Sequence, residues 1–235
     1  MNGSRSANAV LLEALKSGPA LTAQVVVCAP AVYVGDVAQA LQGTTIAWGA
    51  QDCSAFEPGP HTGDIAASML ADLGCRYVIN GHSERRTHHA ETDQQVADKA
   101  KAALAHDVTP IVCVGETWED RQAGLTDVVV KRQLSAVVHA LGHCISQIVV
   151  AYEPLWAIGS GRTATPEQAQ AVHAVLRSQL RAATPHAAQM RILYGGSVNA
   201  ANAASLFAQP DIDGGLIGGA SLKAADFAAI CLACA

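Results

Sequence analysis

Two segments of the sequence place a titratable side chain directly after a short apolar run. Residues 81–86 read Gly-His-Ser-Glu-Arg-Arg, so His82 comes just after the first run. Residues 151–161 read Ala-Tyr-Glu-Pro-Leu-Trp-Ala-Ile-Gly-Ser-Gly, so Glu153 comes at the end of the second. A reactive side chain at the end of a buried strand, followed by a turn rich in glycine, is typical of parallel α/β enzymes.

The neighbours of Glu153 are those expected around a general base. Leu155, Trp156 and Ile158 follow it closely, and burial among such side chains makes a carboxylate a usable base. The alternative is a strand-end carboxylate that caps a helix or pairs with an arginine. Residues 154–161 favour the catalytic interpretation, because a rigid Pro-Trp body with a Gly-Ser-Gly end is typical of a hinged lid.

His82 is expected at the beginning of a helix, because Ser83 and Glu84 open the turn that follows it. The helix dipole disfavours an imidazolium ion there, so we predict a neutral ring that donates a hydrogen bond to a carbonyl oxygen. The alternative is a structural histidine bonded to a backbone carbonyl. No two histidines form a metal pair with a carboxylate at a suitable spacing, and we predict neither metal nor cofactor.

Two glycine clusters near the end of the chain predict a phosphate site. Residues 195–197 read Gly-Gly-Ser and residues 218–221 read Gly-Gly-Ala-Ser, each after a short apolar run. Consecutive glycines at strand-to-helix turns let backbone amides approach a phosphate, and barrels often place this site after their last two strands. Ordinary tight turns are the alternative explanation for either cluster.

Composition sets limits on the function. The chain has 235 residues, half of them hydrophobic and 15% charged, which is enough to bury a sizeable core. A net charge of −5 provides no basic surface for nucleic acid, and no apolar run is long enough to predict a membrane span. The seven cysteines form no disulfide framework and suggest reduced thiols, so we predict a cytoplasmic protein. A redox or metal role for the Cys-x-x-Cys at residues 231–234 is the less favoured reading.

Strand-like and helix-like segments alternate along the chain, without a linker or a break in composition. We therefore predict a single domain over residues 1–235, as either an open doubly wound sheet or a closed barrel. The pattern predicts eight helices, the first over residues 4–17 with no strand ahead of it. Seven strands are predicted, at residues 25–28, 45–49, 77–80, 109–113, 148–152, 191–194 and 215–217.

The motifs, taken together and in this order, resemble the triosephosphate isomerase family. They lie at residues 49–52, 62–64, 81–86, 113–116, 151–165, 194–198 and 218–222. The resemblance implies a (β/α)8 TIM barrel that lacks its first strand, with seven strands and eight helices. It also implies an isomerase that interconverts dihydroxyacetone phosphate and glyceraldehyde 3-phosphate through an enediolate.

The resemblance assigns a role to each candidate residue. Glu153 would be the base that moves a proton between adjacent carbons, and His82 the neutral electrophile that polarises the carbonyl group. Thr62 would lie in a loop that docks beside the active site of a second copy, in a homodimer. Gly159, Ser197, Gly218 and Gly219 would hold the phosphate of the substrate, and Glu84 and Cys113 would support the catalytic pair.

The sequence departs from the family at its beginning. Members start with a strand that ends Gly-Asn-x-Lys-Met-Asn-Gly, whereas this sequence opens at the Met-Asn-Gly of residues 1–3. The family's Lys contacts substrate and pairs with a glutamate that matches Glu84. We therefore expect strongly reduced activity and a homo-oligomer that covers the open edge. Two alternatives are a non-catalytic phosphate-binding or assembly protein, and a sugar-phosphate epimerase, which the Glu-Pro-Leu-Trp-Ala-Ile-Gly lid disfavours.

Overall fold

The computed structural model describes residues 1–158 and 163–234, and it shows an α/β protein. Its strands are β1 (Val26–Ala29), β2 (Ala47–Ala50), β3 (Tyr77–Asn80), β4 (Thr109–Val114), β5 (Val149–Tyr152) and β6 (Ile192–Tyr194). Its helices are α1 (Arg5–Lys16), α2 (Val34–Leu41), α3 (Ala67–Asp72), α4 (Ser83–His88), α5 (Asp93–Ala105), α6 (Trp118–Gln122), α7 (Thr126–Leu141), α8 (Pro166–Ala183), α9 (Ala203–Phe207) and α10 (Ala224–Leu232). Short 3-10 turns lie at Ala31–Tyr33, Gly142–Gln147, Leu155–Ala157 and Gly219–Leu222.

The six strands form one parallel sheet in chain order, from β1 to β6, as in an arc of a TIM barrel. Each strand pairs in parallel with the next, and helices form the crossovers. The carboxyl ends of all the strands therefore lie along one edge of the sheet. Residues that immediately follow the strands meet there.

The predicted seventh strand is shorter than expected. Residues 215–217 contribute only an isolated parallel bridge between Gly215 and Tyr194, supported by a 3.0 Å bond from the Leu216 N–H to the Tyr194 carbonyl. Glycines flank this run on both sides, and Gly214 has φ of +147°. Because glycines supply no side chains to pack, the ladder does not extend.

The helices are more numerous than the eight predicted, since ten α-helices occur within the described ranges. Two pairs of consecutive helices are each separated by a residue in the left-handed region. Ala90 has φ of +54° between α4 and α5, and Gly124 has φ of +71° between α6 and α7. A left-handed residue ends a helix, and Thr92 caps the beginning of α5 with a full capping box.

The outer edge of β1 has no strand partner among residues 1–158 and 163–234. Helix α1 precedes β1 in the chain and packs on α2 and α10, with Leu12 and Leu15 buried. None of the described helices is long and apolar enough to cross a membrane.

The core has an outer and an inner part, because strand side chains alternate between the two faces of the sheet. Val112 and Val114 of β4 join the large cluster beneath the helices. Ile111 and Cys113 of the same strand join a small inner cluster with Ala151 of β5. Glu153 is two residues after Ala151, so its side chain is on the inner face.

Candidate active site

Glu153 follows β5 and is almost fully buried, with 2% of its surface exposed. Its Oε1 lies 3.0 Å from His82 Nε2. Its Oε2 accepts a 2.8 Å hydrogen bond from the backbone N–H of Ser83, the first residue of α4. The structure thus unites two interpretations that the sequence left open, because this carboxylate caps a neighbouring helix and also contacts the candidate electrophile.

Two glycines make room for Glu153. A Cβ atom on Gly195 would lie 2.8 Å from Glu153 Cγ, and one on Gly115 would lie 1.8 Å from the Glu153 carbonyl oxygen. The sequence predicted for Gly195 only a place in a phosphate-binding turn. Its close packing against Glu153 depends on the neighbouring strands β5 and β6, which the one-dimensional pattern does not reveal.

His82 is the N-cap residue of α4, and its ring is oriented from both sides. Nδ1 accepts a 3.2 Å hydrogen bond from the Glu84 backbone N–H, so Nδ1 carries no proton. The proton of the neutral ring is then on Nε2, which faces Glu153. No backbone carbonyl in the described ranges bonds to this ring, contrary to the structural alternative.

Two opposing effects act on the pKa of His82. Burial lowers this pKa, whereas the hydrogen bond and the negative charge of Glu153 raise it, and the net direction is upward. The hydrogen bond from the Glu84 amide acts against protonation, because an imidazolium ion has no acceptor at Nδ1. The amide donor at Nδ1 therefore favours the neutral ring, with its proton on Nε2.

Cys113 lies in β4, between the strands that precede His82 and Glu153. It is 1% exposed, and burial, followed by the charge of Glu153, raises the pKa of the Cys113 thiol well above its usual value. The sulfur therefore stays protonated and provides a neutral wall beside the carboxylate. Glu84 is exposed, and its carboxylate lies 3.9 Å from His82 Nδ1.

Glu116 is a functional candidate to which the sequence reasoning gave no role. It is fully buried and accepts hydrogen bonds from Tyr152 Oη at 3.1 Å and from Trp156 Nε1 at 2.9 Å. Arg121 approaches the same carboxylate at 3.4 Å and stacks over the Trp156 ring. Glu116 therefore anchors the beginning of the predicted lid. Its position at the end of the Cys-Val-Gly-Glu motif, two residues after β4, was the available signal.

The predicted phosphate ligands follow β6 and the Gly215 bridge. The Ser197 N–H and Oγ both donate to the Ala157 carbonyl, at 3.2 and 2.7 Å, so this turn holds the lid's beginning. Gly218 and Gly219 are exposed, with open space where a Cβ would be. Gly159 lies outside the described residues.

Thr62 is exposed in the loop between β2 and α3. Inside this loop Ser54 Oγ donates to Asp64 at 2.7 Å, and the rings of Phe56 and His61 stack at 4.3 Å. Within the described ranges, no cluster of three or more His, Cys, Asp or Glu side chains could hold a metal ion.

The fold and the site define a class of protein. A buried carboxylate touches an imidazole where parallel strands end, and glycine-rich turns follow the next strands, as in α/β enzymes that transfer protons on small anionic substrates. A family model described as triosephosphate isomerase matches residues 1–234. The chain belongs to the triosephosphate isomerase family.

Curated relatives named triosephosphate isomerase support this membership along the whole chain. The protein of Paracidovorax citrulli is 61% identical over 239 residues, which cover 100% of this chain and 95% of the relative. That of Delftia acidovorans is 62% identical and covers 98% and 94%, and that of Bordetella pertussis is 55% identical and covers 99% and 94%. These relatives lend no support to reduced activity, which stays a prediction.

Proposed function

We propose that this protein interconverts dihydroxyacetone phosphate and glyceraldehyde 3-phosphate by moving a proton between adjacent carbons. The observation that carries the proposal is the 3.0 Å contact between Glu153 Oε1 and His82 Nε2, at a carboxylate that is 2% exposed. A base and a hydrogen-bond donor so close together can act on the two ends of one carbonyl-containing fragment.

Glu153 performs the proton transfers. Its carboxylate takes the proton from the carbon next to the carbonyl group, and the electron pair of that C–H bond forms the C=C bond of an enediolate. The carbonyl oxygen receives the displaced π electrons. Glu153 then returns a proton to the other carbon. His82 Nε2–H gives its proton to the former carbonyl oxygen and takes up the proton of the neighbouring hydroxyl oxygen, so substrate and product are isomers. No electrons are gained or lost, and the reaction requires no redox cofactor.

His82 stabilises the charge that develops on oxygen. Its Nε2–H faces the carboxylate in the resting site, and a bound carbonyl oxygen would take the place of Glu153 Oε1 as the acceptor. A donor already oriented toward a developing oxyanion lowers the barrier without reorganisation. The hydrogen bond from the Glu84 amide keeps the ring in the required tautomer.

The phosphate group is proposed to bind at Ser197, Gly218 and Gly219, with Gly159 of the lid. In the resting structure both Ser197 donors are directed to the Ala157 carbonyl. An arriving phosphate would compete for these donors and release Ala157, so that binding and movement of the lid are linked. Exclusion of water would then protect the enediolate.

Three further features belong to the same proposal. The chain is a single cytoplasmic domain, and its fold is a TIM barrel. It forms a homo-oligomer that covers the outer edge of β1.

A coupled isomerase assay tests the activity. We expect turnover that Glu153→Gln abolishes and Glu119→Gln, an exposed carboxylate on α6, leaves within twofold. In heavy water the product should carry deuterium at the carbon that receives the proton. Solvent deuterium absent from the product, or turnover that survives Glu153→Gln, would contradict the proposal.

The non-catalytic alternative and the oligomeric state are tested separately. If the chain binds phosphate but does not isomerise triose phosphates, the non-catalytic alternative holds. Light scattering should find an oligomer, and a stable 24.2 kDa monomer at micromolar concentration would refute that part.

A further inference from the structure

Arg86 joins three parts of the fold beneath the candidate site. It lies on α4, with 12% of its side chain exposed. Its Nε donates to the Gly81 carbonyl at 3.0 Å, its Nη2 to the Cys113 carbonyl at 3.1 Å and its Nη1 to Asp93 Oδ1 at 2.7 Å. One guanidinium group therefore connects the ends of β3 and β4 with the beginning of α5.

Each of the two carbonyl groups belongs to a segment that holds the catalytic pair. Gly81 immediately precedes His82 and has φ of +70°, and a Cβ atom there would lie 2.5 Å from Val96 Cγ2. Cys113 is in β4, and its thiol is beside Glu153. The backbone turn that carries His82 and the strand that carries Cys113, beside Glu153, are thus both bound to the Arg86 guanidinium group.

We propose that Arg86 is a positioning residue for the isomerase reaction, which fixes the separation of the His82 ring and the Glu153 carboxylate without touching substrate. The proposal rests on the proposed function. The planar fork of arginine matches three acceptors in different directions, whereas a lysine ammonium at the end of its flexible stem does not reproduce that geometry. Without the guanidinium group, the ends of β3 and β4 are no longer bound to the same side chain.

The chain provides a matched control for the ion pair. Asp93 also receives a 2.9 Å bond at Oδ2 from Arg132 Nε, and the Arg132 side chain is 62% exposed. Arg132→Met removes a cation from the same carboxylate but contacts neither strand end. A difference between Arg86→Met and Arg132→Met therefore reports the bonds to Gly81 and Cys113 rather than the charge on Asp93.

Steady-state kinetics of three variants test the proposal. For Arg86→Met we expect kcat to fall about 10- to 100-fold, since misplacement by about 1 Å costs up to about 10² in rate. KM and the inhibition constant of inorganic phosphate should change less than twofold, because the phosphate turns follow other strands. Arg86→Lys should be intermediate, and Arg132→Met should keep both parameters within twofold, as an exposed ion pair contributes little.

Nitrogen NMR of histidine-labelled protein gives a readout that a merely structural role would not change. In the unmodified chain the His82 signals should show an unprotonated Nδ1 and a protonated Nε2. In Arg86→Met they should move toward a mixture of tautomers, while in Arg132→Met they should not. If Arg86→Met does not fold, Arg86→Lys is compared with Arg132→Met instead. We then expect kcat of Arg86→Lys to fall at least about fivefold, while the inhibition constant of inorganic phosphate is unchanged.

The proposal is overturned if the kcat of Arg86→Met equals that of Arg132→Met, or if kcat and phosphate affinity fall in parallel. Wild-type turnover in Arg86→Lys, where that variant must carry the test, overturns it too. An unmodified chain with no isomerase activity would instead refute the proposed function. The histidine signals would still decide the role of Arg86, since unchanged His82 tautomers in Arg86→Met would exclude it.

Discussion

Gln133 should be one of the most sensitive positions outside the catalytic pair. This α7 side chain is 5% exposed and forms two reciprocal bonds with the backbone of Gly115. Its Oε1 accepts from the Gly115 N–H at 2.7 Å, and its Nε2 donates to the Gly115 carbonyl at 3.0 Å. Gly115 packs directly on the Glu153 carbonyl, so the two hydrogen bonds of Gln133 act on the position of Glu153 through one intervening residue.

Gln133→Met keeps the length of the side chain and removes both bonds. Each buried backbone group left without a partner costs about 1–3 kcal/mol, so the free energy of unfolding should fall by about 2–6 kcal/mol. A typical domain has only about 5–15 kcal/mol in total, so the effect is large. Gln133→Glu should be at least as destabilising, because it buries a charge and faces the Gly115 carbonyl with a second oxygen.

Urea unfolding, followed by circular dichroism, measures the change. The control is Gln94→Met on the exposed face of α5, where the amide donates a hydrogen bond to Asp98 and the expected effect is within about 0.5 kcal/mol. Because Gly115 contacts Glu153, kcat of the surviving Gln133→Met protein should also fall. A Gln133→Met variant as stable as the Gln94→Met control would refute the reasoning.

Three other predictions concern the base, a buried histidine and the phosphate site. Gly195→Ala should lower kcat at least about tenfold, because its Cβ would be 2.8 Å from Glu153 Cγ, whereas Gly35→Ala in α2, with open space around it, should leave kcat unchanged. Burial lowers the pKa of His173 to about 4, so its contribution to stability is present above pH 6.5 and is lost as the pH falls toward 4. His173→Phe should flatten the fall of unfolding free energy across this window, by up to about 3 kcal/mol, and His88→Asn, on an exposed residue, should not. Calorimetry should detect millimolar binding of inorganic phosphate that weakens with salt, and no binding at that concentration would contradict the site at Ser197, Gly218 and Gly219.

The sequence predicted the sheet well because its strands are buried on both faces. Residues 148–152 are continuously apolar and residues 109–113 are apolar after Thr109, and this pattern can be recognised without knowledge of the neighbouring strands. The failure at residues 215–217 has the opposite cause. There the backbone conformation of Gly214 and the lack of a side chain at Gly215 prevail over the two apolar residues that follow.

The candidate site was only partly predictable for a related reason. His82 and Glu153 were recognisable because each ends an apolar run and has an unusual following turn. Gln133, Arg86 and Glu116 act on residues 18 to 40 positions away or across strand ends, and no local pattern marks such partners. Chain periodicity reveals which face a residue occupies, but not which backbone group it meets there.

The two oxygens of Glu153 have different tasks in the proposed reaction. Oε2 is fixed by the Ser83 amide, so it serves as a pivot at the positive end of α4. Oε1 is bound to His82 Nε2 at rest, and a base held at both oxygens cannot reach carbon. Substrate must therefore break this one contact, and its carbonyl oxygen restores what His82 loses. At rest, the contact between His82 Nε2 and Glu153 Oε1 holds both groups at the position where substrate binds. When the substrate carbonyl oxygen replaces Oε1, the His82 N–H keeps one hydrogen-bond acceptor.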